Sequence, residues 1–147
     1  MTAWSGKWRA AVDKALNYLA LARKGSLAEL GEEPVGAAAR AGKAHLIVVA
    51  SDAGDHSWRR AKSYAAGTQQ QCIRVKFTKD ELGMAIGRTS LAMAAFTDAA
   101  LALAFAKALD SVQPQVLEVL EEKASRAKSR RKEAKAHQKN VRMGKKK

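Results

Sequence analysis

Asp52, His56 and Ser57 stand within one short stretch, SDAGDHSW, and together supply the carboxylate, imidazole and hydroxyl of a hydrolytic relay. A relay of that kind needs its hydroxyl on a sharp, glycine-flanked turn with a base at hydrogen-bond reach. No nucleophile elbow, phosphate loop or metal motif surrounds these three residues. The stretch reads as structural, and the chain reads as non-enzymatic. Cys72 is the single cysteine, which excludes an internal disulfide, and the three histidines lie too far apart for metal-ligand spacing. Neither a metal nor a cofactor is expected. The remaining chemical character is charge. Lysine and arginine number 27 against 14 aspartate and glutamate, a net of +13 in 147 residues, so the expected partner is a polyanion, with nucleic acid ahead of an anionic membrane surface.

The charge is unevenly placed. Residues 1–122 carry 15 Lys/Arg and 13 Asp/Glu, whereas residues 123–147 carry 12 Lys/Arg and a single acid, Glu133. An almost neutral body therefore precedes a strongly basic tail. The tail, KASRAKSRRKEAKAHQKNVRMGKKK, has almost no large apolar residue to bury, and the expectation is a disordered, solvated arm. Its cations Arg126, Lys128, Arg130, Arg131, Lys132 and Lys135 are candidates for nonspecific RNA contact. Such contacts neutralise phosphates and release counterions, giving affinity without sequence choice. The expected organisation is a folded domain over 1–110, a linker or short amphipathic helix over 111–122 opened by the break at Pro114, and the basic tail over 123–147.

The elements that must position any site follow from hydrophobic period. Residues 7–24 place Trp8, Val12, Leu16 and Leu19 on one helical stripe that Gly25 ends. SLAEL is an edge strand or a turn. GEEPVGAAARAG predicts a short helix with Pro34 in its first turn and Gly42 as its stop. His45–Ala50, HLIVVA, is a continuous apolar run with three β-branched residues, the pattern of a central strand covered on both faces. Residues 55–68 predict a helix with Trp58, Ala61 and Ala65 inward and a basic outer side carrying Arg59, Arg60 and Lys62, most simply a solvated face. Residues 73–77, IRVKF, alternate with period two as a strand. Thr78 to Glu81 reads as a capping box opening a helix to about Ile86. Leu91–Phe96 is another buried strand, and Asp98 caps a helix to about Leu109. Cys72 begins a strand as a small core residue. The sum is an α/β chain, a three-layer α-β-α sandwich around a small mixed sheet of about four strands. The 31 alanines mean a core built largely of small side chains.

In this order, ARKGSLAELGEEPV, AHLIVVASDA and TKDELGMAIGR resemble the L-seven-Ae/L-thirty-e ribosomal protein family of kink-turn RNA binders, specifically its bacterial YlxQ-like branch. The resemblance spans roughly residues 14–109. It implies an α-β-α sandwich that binds RNA at one edge, where the helix beginning at Gly31 meets the loop after Gly87. The first helical turn of such proteins enters the groove beside tandem sheared G·A pairs, and the later loop covers a flipped-out base. The candidate RNA-binding residues it implies are Lys24, Gly31, Glu32, Glu33, Lys79, Gly87, Arg88 and Thr89. A helix N-terminus offers free N–H groups to phosphate, and RNA is read best where it is distorted. Glu32 and Glu33 also favour a helix N-terminus electrostatically without any RNA, and Gly31 and Gly87 also serve turns.

The chain departs from the family pattern at that helix. Glu33, Pro34 and Ala37 stand where archaeal and eukaryotic members carry an Asn-Glu pair and a lysine. Lys79, Gly83, Ala85 and Gly87 keep the later motif, while Arg88-Thr89-Ser90 replaces a customary apolar loop. The resulting expectation is a monomeric, cytoplasmic, non-enzymatic RNA-binding protein of the translation apparatus. It would be ribosome-associated, as a ribosomal component or through translation factors, and would recognise structured RNA such as kink-turns. The alternative is a protein-interaction module on the same fold, touching RNA only nonspecifically through its tail. The N-terminus lacks the apolar core of a signal peptide, and no long stretch is apolar without a charge, so no membrane role is expected.

Overall fold

The computed structural model describes residues 13–109 and 112–144, with side chains up to residue 138. The elements run α1 (Lys14–Lys24), β1 (Ala28–Leu30), α2 (Glu32–Arg40), β2 (Leu46–Val49), α3 (Asp55–Ala65), β3 (Gln71–Arg74), α4 (Lys79–Ala85), β4 (Met93–Phe96), α5 (Ala99–Ala108) and α6 (Pro114–Gly144). Trp8 and Val12, expected on the first helix, lie outside the described residues. Leu16 and Leu19 of that stripe are buried.

The four strands form one sheet in the order β1-β4-β2-β3. β2 and β3 are parallel, Leu46 facing Gln71 and Val49 facing Arg74, while β4 runs antiparallel to both β1 and β2. The sheet is therefore mixed. β2 and β4 occupy its middle and every one of their residues is buried, because helices cover both faces: α1, α4 and α5 form one layer, α2 and α3 the other. The three-layer sandwich expected from the period of the sequence is what the chain forms. Its core is small-residue rich, with Ala94, Ala95, Ala102 and Ala106 fully buried and the larger Phe96 and Phe105 rings stacked obliquely at 4.9 Å.

Local chemistry sets the boundaries. Asp13 and Asp98 cap α1 and α5 through their carboxylates, and Thr78 with Glu81 forms a reciprocal capping box on α4. Three expectations move. The strand expected at 73–77 begins two residues earlier and ends at Arg74; the alternation continues beyond it, with Val75 and Phe77 buried and Lys76 exposed, so the period marked the facing of the side chains rather than the extent of pairing. α3 stops at Ala65, and only Ala61 of its inward set is fully buried, Trp58 and Ala65 being half-buried. β3 is an edge strand with less cover, and for the same reason Cys72 is half-buried rather than a core residue, although burial still pushes its thiol pKa up to about 12.

The largest correction concerns the end of the chain. The helix allowed for over 111–122 forms, but it does not give way to a disordered arm: residues 114–144 are one helix that packs along α5. Pro114 is its first residue, where a missing N–H costs nothing. The segment has little to bury, but its alanine, glutamate, lysine and arginine are strong helix formers, and one end is anchored. Leu120 is fully buried against the core, Lys107 faces Glu121 at 3.7 Å, Arg126 pairs with Glu122, and Arg131 reaches Asp98 at 3.1 Å. Low hydrophobicity predicted disorder where helix propensity and one buried leucine decide otherwise.

Candidate nucleic-acid interface

One end of the sheet gathers most of the candidate residues. At this end β1 gives way to α2, β2 to α3 and β3 to α4, and the α4–β4 connection returns to the sheet beside them. The junctions are tied together by backbone hydrogen bonds. Gly31 N–H donates to the Met93 carbonyl at 2.9 Å, Ser51 N–H to Phe77 at 2.8 Å, Ala50 N–H to Ala92 at 2.9 Å, and Leu91 N–H to Lys79 at 3.0 Å. Gly31, Lys79 and the Gly87–Thr89 loop are thereby fixed around one edge of the sandwich. Lys24 is not among them. It ends α1 just before β1, at the end where Ala28 faces Phe96, and so lies toward the opposite side of the sheet.

Gly31 caps α2 with φ of 99°, a conformation a side chain would strain, and Gly87 turns at φ of 74° with open space around it. Gly83 has a different cause. A Cβ there would sit 2.7 Å from the Ser90 nitrogen and 2.9 Å from the Arg88 carbonyl oxygen, so the glycine lets the 88–90 loop lie directly on α4. Arg88 N–H donates to the Gly83 carbonyl at 2.8 Å and completes that contact. The Arg88 and Thr89 side chains are exposed beside it.

The two glutamates at the start of α2 differ. Glu33 is exposed. Glu32 accepts from the Ser57 hydroxyl at 2.6 Å and pairs with Arg60 at 3.1 Å, and the Ser57 hydrogen bond, helped by Arg60, holds its carboxyl below the ordinary range. Its acceptor oxygens are thus committed to α3. Lys79 donates its backbone N–H to Asp52 at 2.8 Å, which accounts for the aspartate. Asp52 and Ser57 are thus each hydrogen-bonded to a neighbouring helix. Lys62 and Arg74 lie over the Trp58 ring at 5.5 and 5.1 Å. Of the basic outer face of α3, Arg60 and Lys62 have structural partners and Arg59 is exposed.

The other candidates lie on α6. Arg126 and Arg130 line a cavity of about 640 Å³ at the end of the sheet opposite Gly31, and Arg131 holds Asp98. Lys128, Lys132 and Lys135 are exposed along the helix. No signal in the sequence placed His45, Arg40 or Lys123 in the same cavity; the cationic spacing at 123, 126 and 130 fits one helix face, but only a helical reading of the tail would have exposed it. Among the described residues there is no group of histidine, cysteine and carboxylate side chains suited to a metal, and no helix is long and apolar enough to cross a membrane.

No family model matches the chain, and no curated protein matches it. Among solved structures it is similar to a protein of unknown function from Bacillus halodurans, at 28% identity and a TM-score of 0.63, over 67% of this chain and 99% of that one. It is also similar to the Giardia lamblia 15.5kD RNA binding protein, at 14% identity and a TM-score of 0.51, over 79% of this chain and 86% of that one. The second likeness is one of fold.

Proposed function

We propose that this chain is a non-enzymatic, cytoplasmic RNA-binding protein of the translation apparatus, a YlxQ-like relative of the L-seven-Ae/L-thirty-e proteins that reads structured RNA at the Gly31/Gly87 edge. The observation that carries the reading is the fixed juxtaposition of the α2 N-terminus with the Arg88–Thr89 loop, tied through Gly31 to Met93 and Leu91 to Lys79. The exposed Glu33 at the start of α2 suits acceptance from a base edge, and an exposed arginine on a pinned loop suits stacking on an unpaired base or pairing with phosphate. The fold likeness to a protein described as RNA binding and the excess of 27 cations over 14 anions point the same way.

Kink-turn reading is the finer part of the proposal and rests on the resemblance of the motifs. The commitment of Glu32 to Ser57 and Arg60 leaves Glu33 as the carboxylate free to accept from a guanine edge. The test is binding of the full chain to a kink-turn RNA and to a copy with its G·A pairs replaced, at about 150 mM salt, where exposed charge is screened beyond roughly 8 Å. Preference for the intact kink-turn, weakened by Arg88→Ala, supports the proposal. Equal binding to both RNAs, unaffected by Arg88→Ala, refutes the edge as a reader and favours a protein partner for it.

A further inference from the structure

We propose that the open cavity at the opposite end of the sheet, walled on one side by α6, is a second site that binds phosphate groups. It is separate from the Gly31/Gly87 edge, since it opens where β2 begins and β4 ends, one strand length away. Its cations come from two elements: Arg40 from the C-terminus of α2, and Lys123, Arg126 and Arg130 from α6. The three on α6 fall at i, i+3 and i+7 and so share one face. Asp98 is the one carboxylate in the lining, and it is spent: one oxygen accepts from Leu101 N–H at 3.0 Å and the other pairs with Arg131 at 3.1 Å.

The cations are less well satisfied. Lys123 gives one hydrogen to the Gln69 carbonyl at 2.8 Å and keeps two, and Arg126 pairs with Glu122. Arg40 and Arg130 have no ion pair among the described residues. His45 lines the same space, and its buried Nδ1 has no hydrogen-bond partner among those residues. Burial and then Lys123 lower the His45 pKa, with Arg130 adding to them and Asp98 opposing, while burial and Arg126 lower that of Lys123. Positive charge is therefore crowded in this cavity beyond what the lining compensates.

A phosphate supplies what is missing. Its several oxygens accept from guanidinium forks and an ammonium at once, and its charge offsets the mutual repulsion of Arg40, Lys123, Arg126 and Arg130. A volume of about 640 Å³ accommodates a phosphorylated small molecule or part of an RNA strand. Two of the tail arginines expected to make loose, nonspecific contacts thus stand at fixed positions in a formed site.

The test follows the ring nitrogens of His45 by NMR in the full chain, titrated at about 150 mM salt with inorganic pyrophosphate in one arm and an unstructured uridine oligonucleotide in the other. The expected result is a saturable shift of the His45 signals. Arg126→Gln combined with Arg130→Gln should weaken pyrophosphate binding about tenfold or more, a change of roughly 1.4 kcal/mol. Arg40→Gln, which leaves α6 untouched, should weaken it in the same direction. Lys79→Gln, at the other end of the sheet, should not change it, so failure of the edge reading would leave this result standing. Tighter binding of the oligonucleotide assigns the phosphate to an RNA backbone, and tighter binding of pyrophosphate assigns it to a free phosphate compound. His45 signals that ignore both probes, or an affinity unchanged in both the double variant and Arg40→Gln, would overturn the proposal.

Discussion

The two ends of the sheet are built by different means. The Gly31/Gly87 end joins locally closed turns, a capping box at Thr78, a positive-φ glycine at 31 and a loop laid on Gly83, to the strand ends through backbone ties such as Gly31 to Met93, and it draws nothing from α6. The His45 end is assembled from segments far apart in the chain, with Lys123 reaching Gln69 and Arg131 reaching Asp98. The first end should survive damage to α6. The second should not, because α6 forms one of its walls and carries Lys123, Arg126 and Arg130.

The strongest test of that contrast is Leu120→Ala. Leu120 is fully buried and anchors α6 to the core, so its truncation should cost about 2–5 kcal/mol in a urea titration. The same variant should abolish the response of His45 to pyrophosphate while the chemical shifts around Gly31 and Gly87 stay in place. Perturbation of both ends alike would show that they are one cooperative unit and not two.

Gly83→Ala attacks the other end. Its Cβ would meet backbone atoms of Ser90 and Arg88 within 3 Å, and backbone cannot rotate away. A cost of about 1–3 kcal/mol is expected, with amide exchange rising in the 87–91 loop and the His45 end unaffected. Thr78→Ala removes half of the capping box and should cost about 1 kcal/mol, confined by hydrogen exchange to α4.

The smallest effect is the pH dependence of the His45 end. His45 is faced by Lys123 and Arg130 from α6, by Arg40 from α2 and by Asp98 after β4, and its pKa is held below the ordinary 6.5 chiefly by burial. The unfolded chain takes up the proton first as pH falls, so this contribution is fully present above about pH 6.5 and is lost as pH drops toward the folded value. His45→Gln should flatten the part of the stability profile that falls below about pH 6.5. An unchanged slope would mean that other groups carry it.

How much of this was legible differs by region. β2 and β4 could be read as buried strands because uninterrupted apolar runs fit only the middle of a covered sheet, and Asp98 and Thr78 announced their helices through capping chemistry that acts over three residues. The resemblance brought Gly31, Lys79 and Gly87 together, and the backbone ties at that edge place them so. It misplaced Lys24, because adjacency along the chain does not say at which end of a strand a helix finishes. It could not show that Glu32, named as an RNA contact, also accepts from Ser57 and Arg60 across a helix boundary.

The sequence alone determined what depends on near neighbours: the alternation of helix and strand, the caps, the glycine turns, and the net charge that calls for a polyanion. Only the tertiary structure decided where that charge stands. The amphipathic pattern over 111–122 allowed a short helix there, but its continuation to residue 144 and the docking of Leu120 against residues distant in the chain depend on packing that local sequence does not specify. That docking turns a basic tail into the wall of a cavity. The partnerships of Lys123, Arg131, Glu32 and Asp98 follow from it or from the packing of α2 on α3, because a side chain's partner is set by what folds beside it.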